Sequence, residues 1–460
     1  MRFLIHLVAE SEAGQRVQEI TRLERNELHL ENIGLSLQEA KQLLATLQAK
    51  IVERQVADYL ETQRPCLRCG QVRGLNGSHP VRFQTLFGNL ELRSPRWNHC
   101  DCQPNPAKTF SPLSELLQEH VSPEHLYLEA KWASLISFDL VAHLLKDALP
   151  VAATVNAAGA RNHLHRVAMR TEAALGEERG SFIEGCPHQW AALPPPAPPL
   201  TVGIDGAYVR DWDDKKTHFE VIVGKSMSEE GPSRCFGFVP TYDPKPKRRL
   251  FELLKGQGMQ MNQQVRFFSE GGSDVRGVQQ YLNPEAEHYL DWFHLTMQLT
   301  VMGQYAKRLD ATPDKRDEAL KLLESVKHYL WHGNVVRARD KLDELQDILD
   351  QEGMAGENVP KLSKALDEFD AYLVANEPLI PNYGERWRNE ETIATGFVES
   401  AVNQVVSKRF VKKQQMQWTK KGAHLLLQTR TQVLDERLEA TFRGWYPAFR
   451  PAENETRKVA

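Results

Sequence analysis

The sequence predicts a multidomain protein: an N-terminal helical region with a paired-cysteine ribbon and a tight helix pair, then an α/β domain interrupted by an all-helical insertion. Three observations predict it. Four of the six cysteines fall between positions 66 and 102. A proline run, Leu193-Pro-Pro-Pro-Ala-Pro-Pro-Leu200, reads as an extended polyproline spacer. Beyond it, helical periodicity gives way to alternating strand and helix patterns. At 460 residues the chain also exceeds one ordinary core, so more than one domain is expected.

Composition bounds the function classes. A hydrophobic share of 41% beside 26% charged residues fits a globular chain. No apolar run approaches the ~20 residues that span a bilayer, and the apolar start of the chain is short for a signal peptide. Cytoplasmic residence is the expectation. The net charge of −4 gives no overall basic character, but charge is segregated. The interval from Thr312 to Glu377 is acid-rich, whereas Lys245-Pro-Lys-Arg-Arg249 and the run from Lys408 to Lys421 are basic.

In chain order, residues 1–63 read as helix. Ser36 and Glu39 form a capping-box pattern, and Leu43, Leu44, Leu47, Ile51 and Val52 recur at helical spacing. Residues 64–110 are the ribbon, with strands at 80–87 and 89–93 and a turn at Gly88-Asn89. Residues 111–190 return to helix, including a pair at 138–149 and 153–166. Residues 191–200 are the linker.

From 201 to 309 the pattern gives strands at 200–210, 217–224 and 233–240, then a helix from about Arg248 and a strand at 265–269. A helix near 275–282, a strand at 287–292 and a long helix from about Phe293 follow. Three consecutive strands, then helix–strand–helix–strand–helix, is the order of a ribonuclease-H-like α/β core. Residues 310–385 form the all-helical insertion, with Leu342, Leu345, Ile348 and Leu349 on one face. Residues 386–460 complete the core and carry the basic segment.

Two cysteine pairs, Cys66-x-x-Cys69 and Cys100-x-Cys102, can close a tetrahedral Zn²⁺ site, because ligands this close in sequence reach one ion at about 2.3 Å. His99 is an alternative to one thiolate. Cys186 and His188 look unrelated, and Cys235 reads as core. One structural zinc per chain is the expectation. The second helix of the pair presents Asn156, Arg161, Asn162, His163 and Arg166, residue types that contact base edges and phosphates.

The carboxylates carry the candidate chemistry. Asp205 follows apolar Val202 and Ile204 and precedes Gly206-Ala207. Glu270 ends the strand 265–269 and precedes Gly271-Gly272. With a third acid, Glu399, on a later helix, they can hold two divalent ions about 4 Å apart for phosphoryl transfer. Asp291 and His294, three apart at a strand–helix junction, can orient a neighbour or simply cap the helix.

At these residues the chain resembles the DDE transposases of bacterial insertion sequences, in the Kra-type group related to the Mutator class. The resemblance rests on Gly203-Ile-Asp-Gly-Ala-Tyr-Val209, Ser269-Glu-Gly-Gly272, Leu290-Asp-Trp-Phe-His-Leu-Thr-Met297, Val398-Glu-Ser-Ala401, and Lys408-Arg-Phe410 with Met416-Gln-Trp418. It implies that Asp205 is the first catalytic aspartate, Glu399 the catalytic glutamate, and Asp291 and His294 the aspartate-x-x-histidine pair. It also implies an N-terminal DNA-binding region and strand cleavage and transfer at transposon ends with Mg²⁺ or Mn²⁺. Its partners would be double-stranded transposon-end and target DNA, with a homo-oligomer on that DNA and a nucleoid setting in a bacterium.

Glu270 departs from the pattern, where an aspartate is expected. Asp274 could substitute only if its helical turn faces the site. On a DNA-binding reading, Lys408, Arg409, Lys412 and Lys413 contact phosphate. Two other readings stand beside the active transposase. One is a catalytically weakened or domesticated DNA-binding descendant, and the other is a zinc-ribbon regulatory protein whose acids are surface groups.

Overall fold

The structure, a computed structural model, describes residues 1–11, 14–26, 28–102, 108–179, 185–271, 286–350, 356–410 and 416–451. The chain is mixed helix and sheet and divides into two compact units. One is Met1–Ala168 with Glu436–Ala460, and the other is Met169–Asp435. Among the described residues no helix is long and apolar enough to cross a membrane.

The first unit begins with a correction. Residues expected as helix form an antiparallel hairpin, β1 (Arg2–Ser11) with β2 (Gly14–Glu24), and after a short 3-10 turn at Leu30–Asn32 the first α-helix starts at Leu37. Burial alternates as in a strand, with Ile5, Leu7 and Ala9 half-buried and the residues between them exposed, although apolar Phe3, Leu4 and Val8 are among the exposed ones. Helix Leu37–Gln63 carries the expected capping box, Ser36 Oγ accepting from the Glu39 amide and Glu39 from the Ser36 amide. The ribbon hairpin is longer than the pattern indicated, β3 (Leu75–Thr85) with β4 (Gly88–Asn98). Thr85 pairs directly with Gly88, so the turn is Leu86-Phe87, not Gly88-Asn89. Short β5 (Thr109–Phe110) adds to β4.

Helices Pro123–Leu135 and Phe138–Ala148 start at serine caps, Ser122 and Ser137, and Asn156 accepts from the Gly159 amide where helix Ala157–Ala174 begins. Tyr127 packs on Phe442 and Phe449, so the C-terminal helix Leu438–Trp445 closes this unit.

The second unit holds a five-stranded sheet of β6 (Leu200–Arg210), β7 (His218–Met227), β8 (Arg234–Phe238), β9 (Val265–Ser269) and β10 (Glu287–Leu290), in the order β10-β9-β6-β7-β8. Strands β6, β7 and β8 are antiparallel, while β9 and β10 run parallel to β6. Val202, Ile204, Phe236, Leu250, Leu254 and Phe267 form its core. The expected helix near 275–282 lies outside the described residues. The strand expected at 287–292 stops at Leu290, because Asp291 caps helix Trp292–Lys307. The insertion is helical as expected, Pro313–Trp331, Val335–Leu349 and Asn358–Asn376, and packs into its own core with Leu295, Leu299 and Met302.

Candidate functional site

Sheet register builds the acidic edge. Gly203 pairs with Phe268, and Ser269 pairs with Leu290. Extending that register by one or two residues brings Asp205, Glu270 and Asp291 level across β6, β9 and β10, where the parallel pairing stops. Loops leave parallel strands at their carboxyl ends and open a crevice there. Asp205 lies within β6, in the middle of the strand expected at 200–210. What ends beside it is its neighbour β9, so its side chain still meets the crevice.

Two glycines let other elements close on this edge. A Cβ at Gly203 would lie 2.0 Å from Val398 Cγ2 and 2.8 Å from Phe397, so only glycine lets helix Gly396–Val402, with exposed Glu399, press onto β6. Gly271 has φ +91°, and a Cβ there would meet Asn376 Oδ1 at 2.4 Å. The same helix, Asn358–Asn376, sends the Tyr372 hydroxyl to the Glu270 carbonyl at 2.9 Å. The insertion therefore buttresses the turn that presents Glu270.

Asp291 acts as a latch. It is 3% exposed. Its Oδ1 accepts from the amides of Phe293 (2.9 Å) and Thr395 (3.0 Å), and the Thr395 hydroxyl donates to Oδ2. It thus caps one helix and ties down the residue from which the Glu399 helix starts. His294 turns to Glu270 instead of Asp291, with Nδ1 at 3.0 Å from Oε1. Glu270 thus pairs with His294, and its charge also acts on Asp205.

Electrostatics follow. Burial and the Glu270 charge, with smaller contributions from Glu399 and Asp291, push the Asp205 carboxyl up to about 6, although the Gly206 amide at 2.7 Å opposes them. The His294 hydrogen bond holds Glu270 below the usual carboxylate range. Burial works against a charged His294, but Glu270 prevails and raises it. Carboxylates that resist each other's ionisation on hard oxygen donors suit a divalent cation. They are not one tight cage: Asp205, Glu270 and Glu399 do not converge on one point as the cysteines do.

The four thiols of Cys66, Cys69, Cys100 and Cys102 all lie within 4.8 Å of one another. Cys66 Sγ is 3.5 Å from Cys102 Sγ, and Cys69 Sγ is 3.3 Å from Cys100 Sγ. A tetrahedral ion with ~2.3 Å bonds sets such edges at about 3.8 Å, so the set can hold a metal such as zinc. Gly70, at φ +72°, donates its amide to the Cys66 carbonyl at 2.8 Å and closes the first pair. Amides of Arg68 and Cys69 hold the Cys66 thiol down at about 6, whereas the neighbouring thiols and burial push Cys102 up to about 12. Four crowded sulfurs cannot all ionise without a cation among them. His99 lies against Phe110 and stands outside the set.

The expected DNA contacts divide. Arg161 and Asn162 are exposed on helix Ala157–Ala174, and Arg166 is exposed while donating to the Glu119 carbonyl. His163 instead turns inward to Glu129. Lys408 is exposed. Arg409 is a correction: it is 2% exposed with its guanidinium 5.1 Å from the Trp418 ring centre, a cation–π setting that removes it from the surface. Lys412, Lys413 and Asp274 lie outside the described residues.

The sequence offers no reading of Thr395, Tyr372 or Asn376, and names Gly203 only as part of a motif, without its packing role. An isolated glycine inside a strand pattern was the available signal for Gly203. The others act only through the fold. No protein-family model matches the chain, and no curated protein matches it either.

Proposed function

We propose that this chain is a DDE-type DNA transposase that binds the ends of its own insertion sequence and catalyses metal-dependent strand cleavage and transfer. The observation that carries the reading is the level row of Asp205 and Glu270, with the Glu399 helix pressed onto Gly203 beside them. The sheet order, three antiparallel strands extended by two parallel ones, supports a ribonuclease-H-like second unit. The resemblance of the motifs around Asp205, Asp291 and Glu399 supports the DNA substrate.

Asp205, Glu270 and Glu399 are the residues that would hold Mg²⁺ or Mn²⁺. Two such ions, when bound, activate the attacking oxygen and stabilise the leaving one. Asp205 must lose its proton to serve as a ligand, which its raised value delays until about neutral pH. His294 fixes Glu270, and Asp291 with Thr395 fixes the start of the Glu399 helix. A groove of about 810 Å³ beside β6 and β7 is lined by Arg210, Lys215, Lys216, His218 and exposed Tyr208, a cationic and aromatic surface suited to a nucleic-acid strand. The four cysteines would hold a structural zinc, and exposed Arg161 and Asn162 would face DNA.

A strand-transfer assay with Mg²⁺ tests the proposal, using DNA that carries the sequences flanking the coding region. Wild type is expected to join ends to target and Glu399→Gln to be inert. Specific binding of that DNA without cleavage by wild type would instead identify a domesticated descendant. In that assay Glu270→Asp should match or exceed the wild-type rate if the longer side chain misplaces its ligand oxygen, since about 1 Å can cost ~100-fold.

A further inference from the structure

The first unit holds, besides the four cysteines, a second group of side chains that could bind a metal. His125 and Glu129 stand one turn apart on helix Pro123–Leu135, so they share a face, and His163 comes from helix Ala157–Ala174. His125 and Glu129 are each 1% exposed, and the His163 side chain is 13% exposed. Both imidazoles address one oxygen. His125 Nε2 is 3.3 Å from Glu129 Oε2, and His163 Nδ1 contacts the same Oε2. The rings are nearly perpendicular, at 83° with centroids 5.9 Å apart, and the three ligand atoms lie within 4.8 Å of one another.

Hydrogen bonding alone does not account for this arrangement. Among the described residues Nδ1 of buried His125 has no hydrogen-bond partner, and Nε2 meets only Glu129 Oε2, at 3.3 Å and off the line of a well-formed hydrogen bond. A buried polar nitrogen without a partner is costly. One aimed at a point beside a carboxylate oxygen and a second imidazole is instead arranged as a metal ligand.

A third cluster, Glu172, Asp243 and His424, supplies the contrast. It encloses the Arg249 guanidinium, 2.7 Å from Glu172 and 2.9 Å from Asp243, so its negative charge is already met by the protein. Among the described residues the ion-pair partners of Glu129 are the two imidazoles alone.

We propose that His125, Glu129 and His163 form a second metal site, which takes a zinc-class divalent ion and pins helix Pro123–Leu135 to helix Ala157–Ala174. Two imidazole nitrogens and one carboxylate oxygen suit zinc or cobalt, and three protein ligands leave a fourth position for water. The site does not depend on the proposed reaction on DNA.

Metal counting tests it on full-length protein purified from zinc- or cobalt-supplemented medium. Wild type is expected to hold two ions per chain and both Glu129→Gln and His163→Ala to hold one. In the cobalt form the thiolate charge-transfer bands should persist in both variants while the second ion's weak visible bands disappear. Glu129→Gln keeps the size of the side chain, so it decides the matter if His163→Ala fails to fold. A wild-type chain with no ion beyond the thiolate-bound one, or a second ion that survives Glu129→Gln, overturns the proposal.

Discussion

In the cysteine cluster four thiols arrive as two pairs, each pair within one turn of chain, whereas at the acidic edge Asp205, Glu270 and Glu399 come from three elements far apart in sequence. The first arrangement is nearly local: a glycine turn at Gly70 and the hairpin β3–β4 suffice to bring sulfurs to 3.3–3.5 Å. The second depends on register, on Gly203 and on the Asp291–Thr395 latch. A structural metal site can therefore be written into a short segment, and its ligands can crowd. On the proposed function the acidic edge must admit a substrate, which suits carboxylates spread over a sheet edge and part-solvated.

The largest expected effect comes from breaking the acidic edge alone. Asp205→Asn should lower metal-dependent cleavage by on the order of 1,000-fold, as loss of a metal ligand worth several kcal/mol requires, and leave the zinc content unchanged. A rate assay beside metal analysis checks both halves. Next in size, Gly203→Ala should shift Val398 and with it Glu399, costing about 1–3 kcal/mol of stability and roughly 100-fold in rate, read by thermal melting and the same assay.

Cys66→Ser works on the other side of the comparison. It should release the thiolate-bound ion and lower the melting temperature by about 10 °C, since structural zinc contributes folding energy outright. Divalent-ion binding at the acidic edge should survive it.

A smaller effect has the opposite sign. The folded protein holds the Asp205 proton more tightly than the unfolded chain, because the value rises from 3.8 to about 6. Ionising Asp205 therefore costs stability: the penalty is absent below about pH 3.8 and complete above about pH 6. In metal-free buffer at pH 7, Asp205→Asn should stabilise the protein by on the order of 1 kcal/mol, after allowance for its part-solvated setting, and should do nothing at pH 3.5. Melting curves at the two pH values decide. The smallest effect is expected at Lys408→Glu, a few-fold loss of DNA affinity with a salt slope reduced by about 1.

Much of this was legible in the sequence, for reasons that differ by element. The cysteine pairs and the capping box at Ser36 are local patterns, and local patterns survive folding. Strand β9 was exact because a short apolar run between polar turns has few other conformations open to it. The hairpin β1–β2 was missed because its apolar residues cluster at both faces and blur the period. Asp291 carried a capping alternative from the start, and its partner Thr395 lies more than a hundred residues away, where no spacing rule reaches. Arg409 looked like surface in a basic run, yet Trp418 and burial claim it. Charge runs report solvent exposure on average, not residue by residue.

The most direct test of the central claim counts Mn²⁺ ions bound to the protein–DNA complex at pH 7.5 by electron paramagnetic resonance, in wild type, Asp205→Asn and Glu399→Gln. Two bound ions are expected in wild type, fewer in each variant, and cleavage only where both ions bind. Equal Mn²⁺ occupancy in all three proteins would contradict it.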